Sequence, residues 1–257
     1  MSNTITELPE NLGFRNGLCG AHSSRTIMLQ EIAILFDSTP PAASKEDYSR
    51  LIINENLLGK KTTSTRRESL RRLKELYGLD PQVQIFRYLR FFWKMNQGSR
   101  PLLALLCASG RDPLLRMTAR AVLPARIGDE VTVKDIEEAI HSASGDHFKA
   151  QVRFNTARHA ASSWEQAGFL SGRNRKIRQS PLNTPASTAY ALLLGYLCGI
   201  RGALLVQTFW TKLLDTPGHT VHNLAQEASR RGWLTYQAID NIVEVDFAIL
   251  LKQLGDH

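Results

Sequence analysis

The stretch "TVKDIEEAIHSASGDHFKAQVRFNTARHAASSWEQAGFLSGRNRKIRQSP" (residues 132–181) decides the fold that we predict for this chain. Its first ten residues indicate a short capped helix, and after a polar gap residues 148–170 contain a longer helix that ends near Gly168. A small turn and a basic loop follow. This order of elements is typical of a winged helix, so we predict the wing around residues 171–178.

Helix signals also dominate the residues that precede this stretch. Apolar residues at helical spacing predict helices over residues 23–37 and 44–58, followed by a third helix that is basic. The second helix opens with Ser44, and Asp47 three residues later completes a weak capping-box pattern. Thr65 followed by Glu68 is a capping-box pattern, which predicts that this third helix begins at Arg66. Three helices joined by short turns match the order of a helix-turn-helix unit.

The end of the chain has a different pattern. Val243, Val245 and Phe247 alternate with two acids in "WLTYQAIDNIVEVDF", which predicts a β hairpin with its turn at Asp240–Asn241. Because Glu244 and Asp246 are acidic, we expect this last unit to face away from nucleic acid. The remaining predicted helices lie over residues 81–96, 99–123 (split near Gly110), 187–198, 203–215 and 219–232.

The predicted fold class is therefore mostly α, with tandem helix-turn-helix or winged-helix-type units and small β hairpins. We predict four segments in chain order: a flexible amino-terminal segment (1–20), a helical domain with the helix-turn-helix (21–126), a winged-helix-like unit (127–182), and a helical unit that ends in the hairpin (183–257).

The composition of the chain limits the kinds of molecule that it is expected to bind. The chain has 257 residues, of which 43% are hydrophobic and 22% charged, as expected of a globular protein with a sizeable core. A formal net charge of +8 and a pI of about 9.6 favour an anionic partner such as nucleic acid or an acidic membrane surface. Three cysteines without a CxxC pattern fit a reducing cytoplasm. The most apolar stretch, residues 188–206, is interrupted by glycines, so we predict a core helix and no membrane contact.

The stretch "KKTTSTRRESLRRLK" (residues 60–74) holds seven cations and one acid. Cations in the first turn of a helix are disfavoured by the helix dipole, and a bound phosphate would reverse that effect. We therefore predict phosphate contact there, although a solvated helix face is the alternative. A second basic segment lies in the predicted wing. The predicted nucleic-acid-binding residues are Lys60, Lys61, Thr63, Ser64, Thr65, Arg66, Arg67, Arg71, Lys74, Arg173, Arg175, Lys176 and Arg178.

The sequence shows no catalytic or cofactor-binding motif. The histidines lack a metal-ligand spacing, although His219 and His222 could form a metal pair, and no glycine-rich phosphate loop is present. We predict no enzyme activity, no cofactor and no metal.

Three segments carry a resemblance to a known family. "LIINENLLGKKTTSTRRESLRRLKELY" (51–77), "RDPLLRMTARAVL" (111–123) and "FNTARHAASSWEQAGFL" (154–170) resemble, in the same order, segments of the BrxA family of BREX phage-defence systems. The first resembles that family's "eNLL.k.s..T..r....l+.RL" pattern.

The resemblance implies a small, all-helical, non-enzymatic protein with helix-turn-helix character, similar in part to a NusB-like RNA-binding fold. It implies DNA binding in support of a larger defence complex. By motif matching, the nucleic-acid contacts would include Lys60, Lys61, Thr65, Arg66 and Arg67.

The leading expectation is a cytoplasmic, non-enzymatic protein that binds double-stranded DNA as an accessory component of a prokaryotic anti-phage defence system, alongside other defence proteins. Two alternatives stay open: an assembly subunit whose basic faces dock on an acidic protein, and a NusB-like RNA-binding module. Nucleic-acid binding would weaken steeply with salt, whereas an apolar docking interface would not.

Overall fold

The computed structural model of the chain describes residues 7–239 and 242–255, and it is mostly helical, as predicted. In chain order, the α-helices are α1 (Leu29–Asp37), α2 (Lys45–Ile53), α3 (Thr63–Tyr77), α4 (Gln84–Trp93), α5 (Arg100–Arg111), α6 (Pro113–Val122), α7 (Val133–Ser144), α8 (Ala150–Gln166), α9 (Pro185–Leu197), α10 (Phe209–Lys212), α11 (Gly218–Arg230) and α12 (Ala248–Gln253).

Short 3-10 helices and two small hairpins complete these elements. The 3-10 helices cover Glu10–Leu12, Ala21–Ser23, Gln97–Ser99, Gly145–His147 and Gly202–Gln207. The strands are β1 (Leu170–Ser171), β2 (Ile177–Arg178), β3 (Thr235–Ile239) and β4 (Ile242–Asp246), paired antiparallel as β1–β2 and β3–β4. The hairpin predicted near the end of the chain is confirmed, while its predicted turn at Asp240–Asn241 lies outside the described residues.

The predicted start of α3 is wrong by three residues. Thr62 is the N-cap: the Thr65 N–H donates to its Oγ1, and the Thr62 N–H donates back to the Thr65 Oγ1, both at 3.2 Å. Two threonines at this spacing satisfy the same backbone donors as the predicted Thr-x-x-Glu box, and they do so one turn earlier. The predicted start of α2 is confirmed, because Ser44 and Asp47 form a reciprocal capping box, but the helix ends at Ile53, five residues before the predicted end.

Residues 7–20 are packed against the rest of the protein, although we predicted a flexible segment over 1–20. The Phe14 side chain is only 1% exposed, and its ring centroid lies 5.5 Å from that of Trp210. The Arg15 N–H donates to the carbonyl of Gly110 at 3.0 Å. Residues 1–6 lie outside the described residues.

Helices α5 and α9 form the centre of the core. Residues 102–110 of α5 and 185–195 of α9 are buried, and the two helices pack against each other and against α4. The Tyr190 hydroxyl donates to the carbonyl of Ile85 at 2.8 Å. A helix that is apolar on all sides is expected at such a position. The segment predicted over 183–257 therefore shares its core with the amino-terminal helices. Among the described residues, each helix is too short or too polar to cross a lipid bilayer.

Helices α6, α7 and α8 pack together and carry the first hairpin. We define residues 112–182 as the middle unit, because α6 packs on α7 across the predicted boundary at 126. Residues 128–131 run beside β2: the Val131 N–H donates to the Lys176 carbonyl, and the Arg178 N–H donates to the Asp129 carbonyl, both at 2.8 Å. The small β1–β2 hairpin is thus extended by a third extended segment.

Candidate nucleic-acid interface

The corrected start of α3 changes the electrostatic argument for its arginines. With Thr63 as the first helical residue, Arg66 and Arg67 lie in the second turn. The dipole effect decays within the first turn, so these cations are not in a disfavoured position. Their placement alone therefore indicates no bound phosphate.

Arg66 is a structural residue. Its guanidinium donates to the carbonyl of Ile53 at 3.1 Å and to that of Lys60 at 3.3 Å, which ties α3 to the end of α2. The Lys60 ammonium forms an ion pair with Glu31 of α1 at 3.0 Å. Both cations hold the loop before α3 in place, and their charge is directed inward.

Two further arginines of α3 are neutralised within the helix. Arg71 and Arg72 each pair with both Glu68 and Glu75, at N–O distances of 2.7–2.9 Å. The hydrogen bonds from Arg71, and then those from Arg72, outweigh partial burial and lower the pKa of Glu68 to about 2. Lys74 lies against α2, with its ammonium 3.4 Å from the Ser49 hydroxyl.

Few side chains in and just before α3 are exposed and free of partners in the part of the chain that the structure describes. Within the described residues, the exposed side chains of Lys61 and Arg67 have no hydrogen-bond or ion-pair partner. Thr63 and Ser64 are exposed between them, while Thr65 is engaged in the cap. The free surface here is thus Lys61, which precedes the N-cap of α3, together with Thr63, Ser64 and Arg67 of the helix.

Of the cations in the loop between β1 and β2 that were predicted to contact nucleic acid, one is free within the described structure. Arg173 is exposed without a partner, whereas Arg175 pairs with Glu130 at 2.9 Å and Lys176 with Glu165 at 2.6 Å. Gly172 shapes the loop: its φ is +102°, and a Cβ there would lie 2.3 Å from the Arg175 carbonyl oxygen.

Arg178 does not lie on the surface and leaves the predicted interface. Its side chain is 1% exposed, its Nε donates to the Val122 carbonyl at 2.9 Å, and its guanidinium lies 2.8 Å from the Asp215 carboxylate. It also stacks over the Phe169 ring at 5.3 Å. Arg178 therefore joins the middle unit to the residues before α11.

The exposed face of α8 is the feature that the sequence prediction missed. Gln151, Asn155 and Arg158 are spaced i, i+4 and i+7, so they share one face, with Phe154 beside them at 43% exposure. The Gln151 amide donates to the Asn155 side-chain oxygen at 3.2 Å. No acid occurs between residues 148 and 164. The opposite face, with Ala157, Ala160 and Trp164, is buried and fixes this orientation.

Cations gather beside this face. Burial lowers the pKa of His159, and the neighbouring charges of Arg158 and Arg25 add to that effect, although a hydrogen bond to the His22 carbonyl opposes it. Arg158 and Arg25 come from α8 and from the segment before α1. Because the two arginines are far apart in the sequence, no local sequence pattern predicts that both lie near His159.

A buried Ser–His–Asp arrangement lies behind α8. The His22 Nδ1 is 2.8 Å from the Asp112 carboxylate, and its Nε2 is 2.8 Å from the Ser163 hydroxyl, an order that resembles a nucleophilic triad. All three side chains are at most 1% exposed, and the Ser163 hydroxyl donates to the His159 carbonyl.

The surroundings give this arrangement a structural role. Asp112 also caps α6 through the N–H groups of Leu114 and Leu115. Burial raises its pKa, but the charge and hydrogen bonds of His22 outweigh that effect and lower the pKa. The arrangement thus fastens the segment before α1 to α6 and α8. No group of three or more His, Cys, Asp and Glu side chains in the described part of the chain could hold a metal ion.

Comparison with known proteins adds no family assignment: no family model matches the chain, and no curated protein matches it significantly.

Proposed function

We propose that the protein is a non-enzymatic DNA-binding protein whose middle unit is a winged helix, with α8 as its recognition helix. One observation carries this proposal: a polar face on α8, whose one acid (Glu165, at the end of the helix) pairs with Lys176, lies directly before a hairpin whose loop presents Arg173. The order α6, extended segment, α7, α8, β1, β2 supports the winged-helix assignment.

The chemistry of this face suits the major groove of duplex DNA. Asn and Gln amides pair with adenine, and Arg pairs with the O6 and N7 atoms of guanine. Gln151 and Arg158 are seven residues apart, so they span about 10 Å along the helix, which is about three base pairs at 3.4 Å each. Lys149 and Arg173 are exposed on either side of this face and would neutralise phosphates.

Helix α3 has a secondary role in this proposal. Lys61 and Arg67 would add phosphate contacts, while the paired arginines contribute little. An A-form RNA duplex has a major groove too deep and narrow for side chains to read, so duplex DNA fits α8 better than duplex RNA.

The biological setting is also a proposal. The three segments that resemble the BrxA family include α3, α6 and most of α8, so two of them lie in the middle unit. We infer a role as an accessory component of a prokaryotic anti-phage defence system, in the cytoplasm and with other defence proteins as partners.

Fluorescence anisotropy with duplex DNA, single-stranded DNA and duplex RNA tests the proposal. Four phosphate contacts predict that duplex DNA affinity falls about a hundredfold between 50 and 200 mM salt. Duplex DNA should bind more tightly than either competitor. Undetectable DNA binding at about 50 mM salt and micromolar protein would contradict the proposal, because even non-specific binders reach roughly 10⁻⁴–10⁻⁶ M at physiological salt. A salt-insensitive interaction would favour docking on a protein instead.

A further inference from the structure

The carboxyl-terminal unit (residues 183–255) repeats the order of elements of the middle unit, although its second helix, α10, has four residues where α7 has twelve. Each unit opens with a helix whose N-cap precedes a proline: Asp112–Pro113 before α6 and Thr184–Pro185 before α9. In both, the N-cap side chain accepts a hydrogen bond from the first turn. Proline at this position suits a helix start.

The second helices also begin alike. Thr132 caps α7 by accepting from the Asp135 N–H at 3.1 Å, and Thr208 caps α10 by accepting from the Thr211 N–H at 3.2 Å. The segment before each of these helices lies against the second strand of its own hairpin. Residues 128–131 lie beside β2, and residues 202–207 pack on β4.

The ends of the third helices match in detail. Gly168 after α8 has φ +85°, and Gly232 after α11 has φ +74°. The next residue in each unit donates back across the turn: Phe169 to the Trp164 carbonyl at 2.9 Å, and Trp233 to the Ala228 carbonyl at 3.2 Å. These bonds form a Schellman motif. A buried leucine and the first hairpin strand follow in both units.

In the order of elements α11 therefore corresponds to α8, although α11 packs on the first helix of its unit, α9, whereas α8 packs mainly on the second helix, α7. Its exposed residues are spaced i, i+4, i+7 and i+11, so they form one face. They are His219, Asn223, Gln226 and Arg230. Within the described residues these four side chains have no hydrogen-bond or ion-pair partner. The opposite side of α11, with Val221, Ala225 and Ala228, is buried.

We infer that the carboxyl-terminal unit is a second DNA-binding unit and that α11 contacts duplex DNA through Asn223, Gln226 and Arg230. This inference rests on the proposed function of the middle unit. The residue types are again an amide pair and an arginine, which suit adenine and guanine edges. The buried Arg178–Asp215 ion pair links the two units, so their contacts are made by one body.

A matched pair of double variants of the full chain tests the inference. Gln226→Glu with Arg230→Glu changes the α11 face. Gln253→Glu with Lys252→Glu makes the same change of charge on exposed positions of α12. We expect the α11 variant to bind duplex DNA at least fivefold more weakly, with a salt slope flatter by about one unit. The α12 variant should stay within twofold of the wild type, and thermal melting should show both folded.

The outcomes separate the two proposals. If the α11 variant binds like the wild type while variants of α8 are weakened, the second unit does not contact DNA and the proposed function stands. If both double variants lose the same affinity, the effect is one of net charge, and this inference is overturned. If the wild type binds no duplex DNA, the proposed function fails and the inference falls with it.

Discussion

Helices α3 and α8 show that the charge in a sequence differs from the charge that a surface offers. The stretch containing α3 has seven cations between residues 60 and 74, yet Lys60, Arg66, Arg71 and Arg72 are all engaged by other groups of the protein. Helix α8 has few charges, and its exposed polar face has no acid before Glu165, which pairs with Lys176. The helix that attracts attention in the sequence is therefore the weaker candidate for recognition.

The difference has two physical origins. Within α3, Glu68 and Glu75 lie three or four residues from Arg71 and Arg72, so these ion pairs form on the helix surface itself. The partners of Lys60 and Arg66 come from α1, α2 and the loop before α3, which the tertiary fold brings together.

Two arginines of the first hairpin give the largest expected contrast. Arg178→Ala should lower the free energy of unfolding by about 3–5 kcal/mol, because it leaves Asp215 and buried carbonyls unpaired. Arg173→Ala should change it by no more than about 0.5 kcal/mol, since that side chain is exposed and has no partner among the residues that the structure describes. Denaturant unfolding followed by circular dichroism measures both.

For duplex DNA affinity, the order of the two effects should be reversed. Arg173→Ala should weaken duplex DNA binding several-fold, and the folded fraction of Arg178→Ala should bind like the wild type. If the Arg178→Ala protein is stable but binds duplex DNA more weakly, Arg178 belongs to the DNA interface.

A second contrast compares α8 and its loop with α3 directly. Arg158→Glu with Arg173→Glu should weaken duplex DNA binding by roughly 30- to 100-fold and flatten the salt slope by about two units. Arg71→Glu with Arg72→Glu, which makes the same change of charge on paired residues, should have a smaller effect. Lys134→Glu on α7 is the control, because its side chain is 83% exposed and its ion pair with Glu138 is long, at 3.8 Å. A larger loss of duplex DNA affinity from the α3 double variant would contradict the proposal that α8 and its loop are the main DNA contacts.

Local patterns predicted the helices and the hairpins. The Ser44 cap of α2 and the alternation in β4 depend on residues near in sequence, and both are confirmed. Helical periodicity predicted most helices, but the helix predicted over 203–215 is a 3-10 helix (Gly202–Gln207) followed by the four residues of α10. The start of α3 was misplaced because Thr62 and Thr65 are both good capping residues, and sequence alone does not choose between them.

The candidate site was predicted less well, because its properties depend on distant residues. Burial of Arg178 requires Val122 and Asp215, and the contact of His22 with Asp112 and Ser163 spans most of the chain. The acidic hairpin also suggested that the carboxyl-terminal unit faces away from nucleic acid. The repeated architecture became visible only through the matching caps and turns, since the two units share no extended sequence pattern.

Adjacent arginines of α3 provide a finer test. Arg66→Gln should lower the free energy of unfolding by about 1.5 kcal/mol or more, because charged hydrogen bonds to two carbonyls are lost. Arg67→Gln should leave stability unchanged and weaken DNA binding about two- to threefold, as expected for loss of roughly one phosphate contact. Equal stability of the two variants would show that Arg66 does not hold α3 on α2.

The smallest expected effect concerns Glu68, which neutralises the arginines of α3. Its pKa is lowered from its ordinary value of 4.5 to about 2, so its contribution to stability is fully present above pH 4.5 and is lost as the pH falls towards 2. Glu68→Gln should therefore reduce the change in melting temperature over this pH range. At neutral pH the same variant leaves Arg71, which is 51% exposed, paired with Glu75 alone, and should strengthen duplex DNA binding about twofold with a slightly steeper salt slope. Glu7→Gln is the control, because it removes the same charge from an exposed position outside both proposed DNA-binding units, without an ion pair in the described structure. An equal gain in affinity from both variants would mean that net charge alone is responsible. If neither variant gains duplex DNA affinity, α3 lies outside the DNA contact. Recognition would then depend on α8 and the hairpin loop without α3.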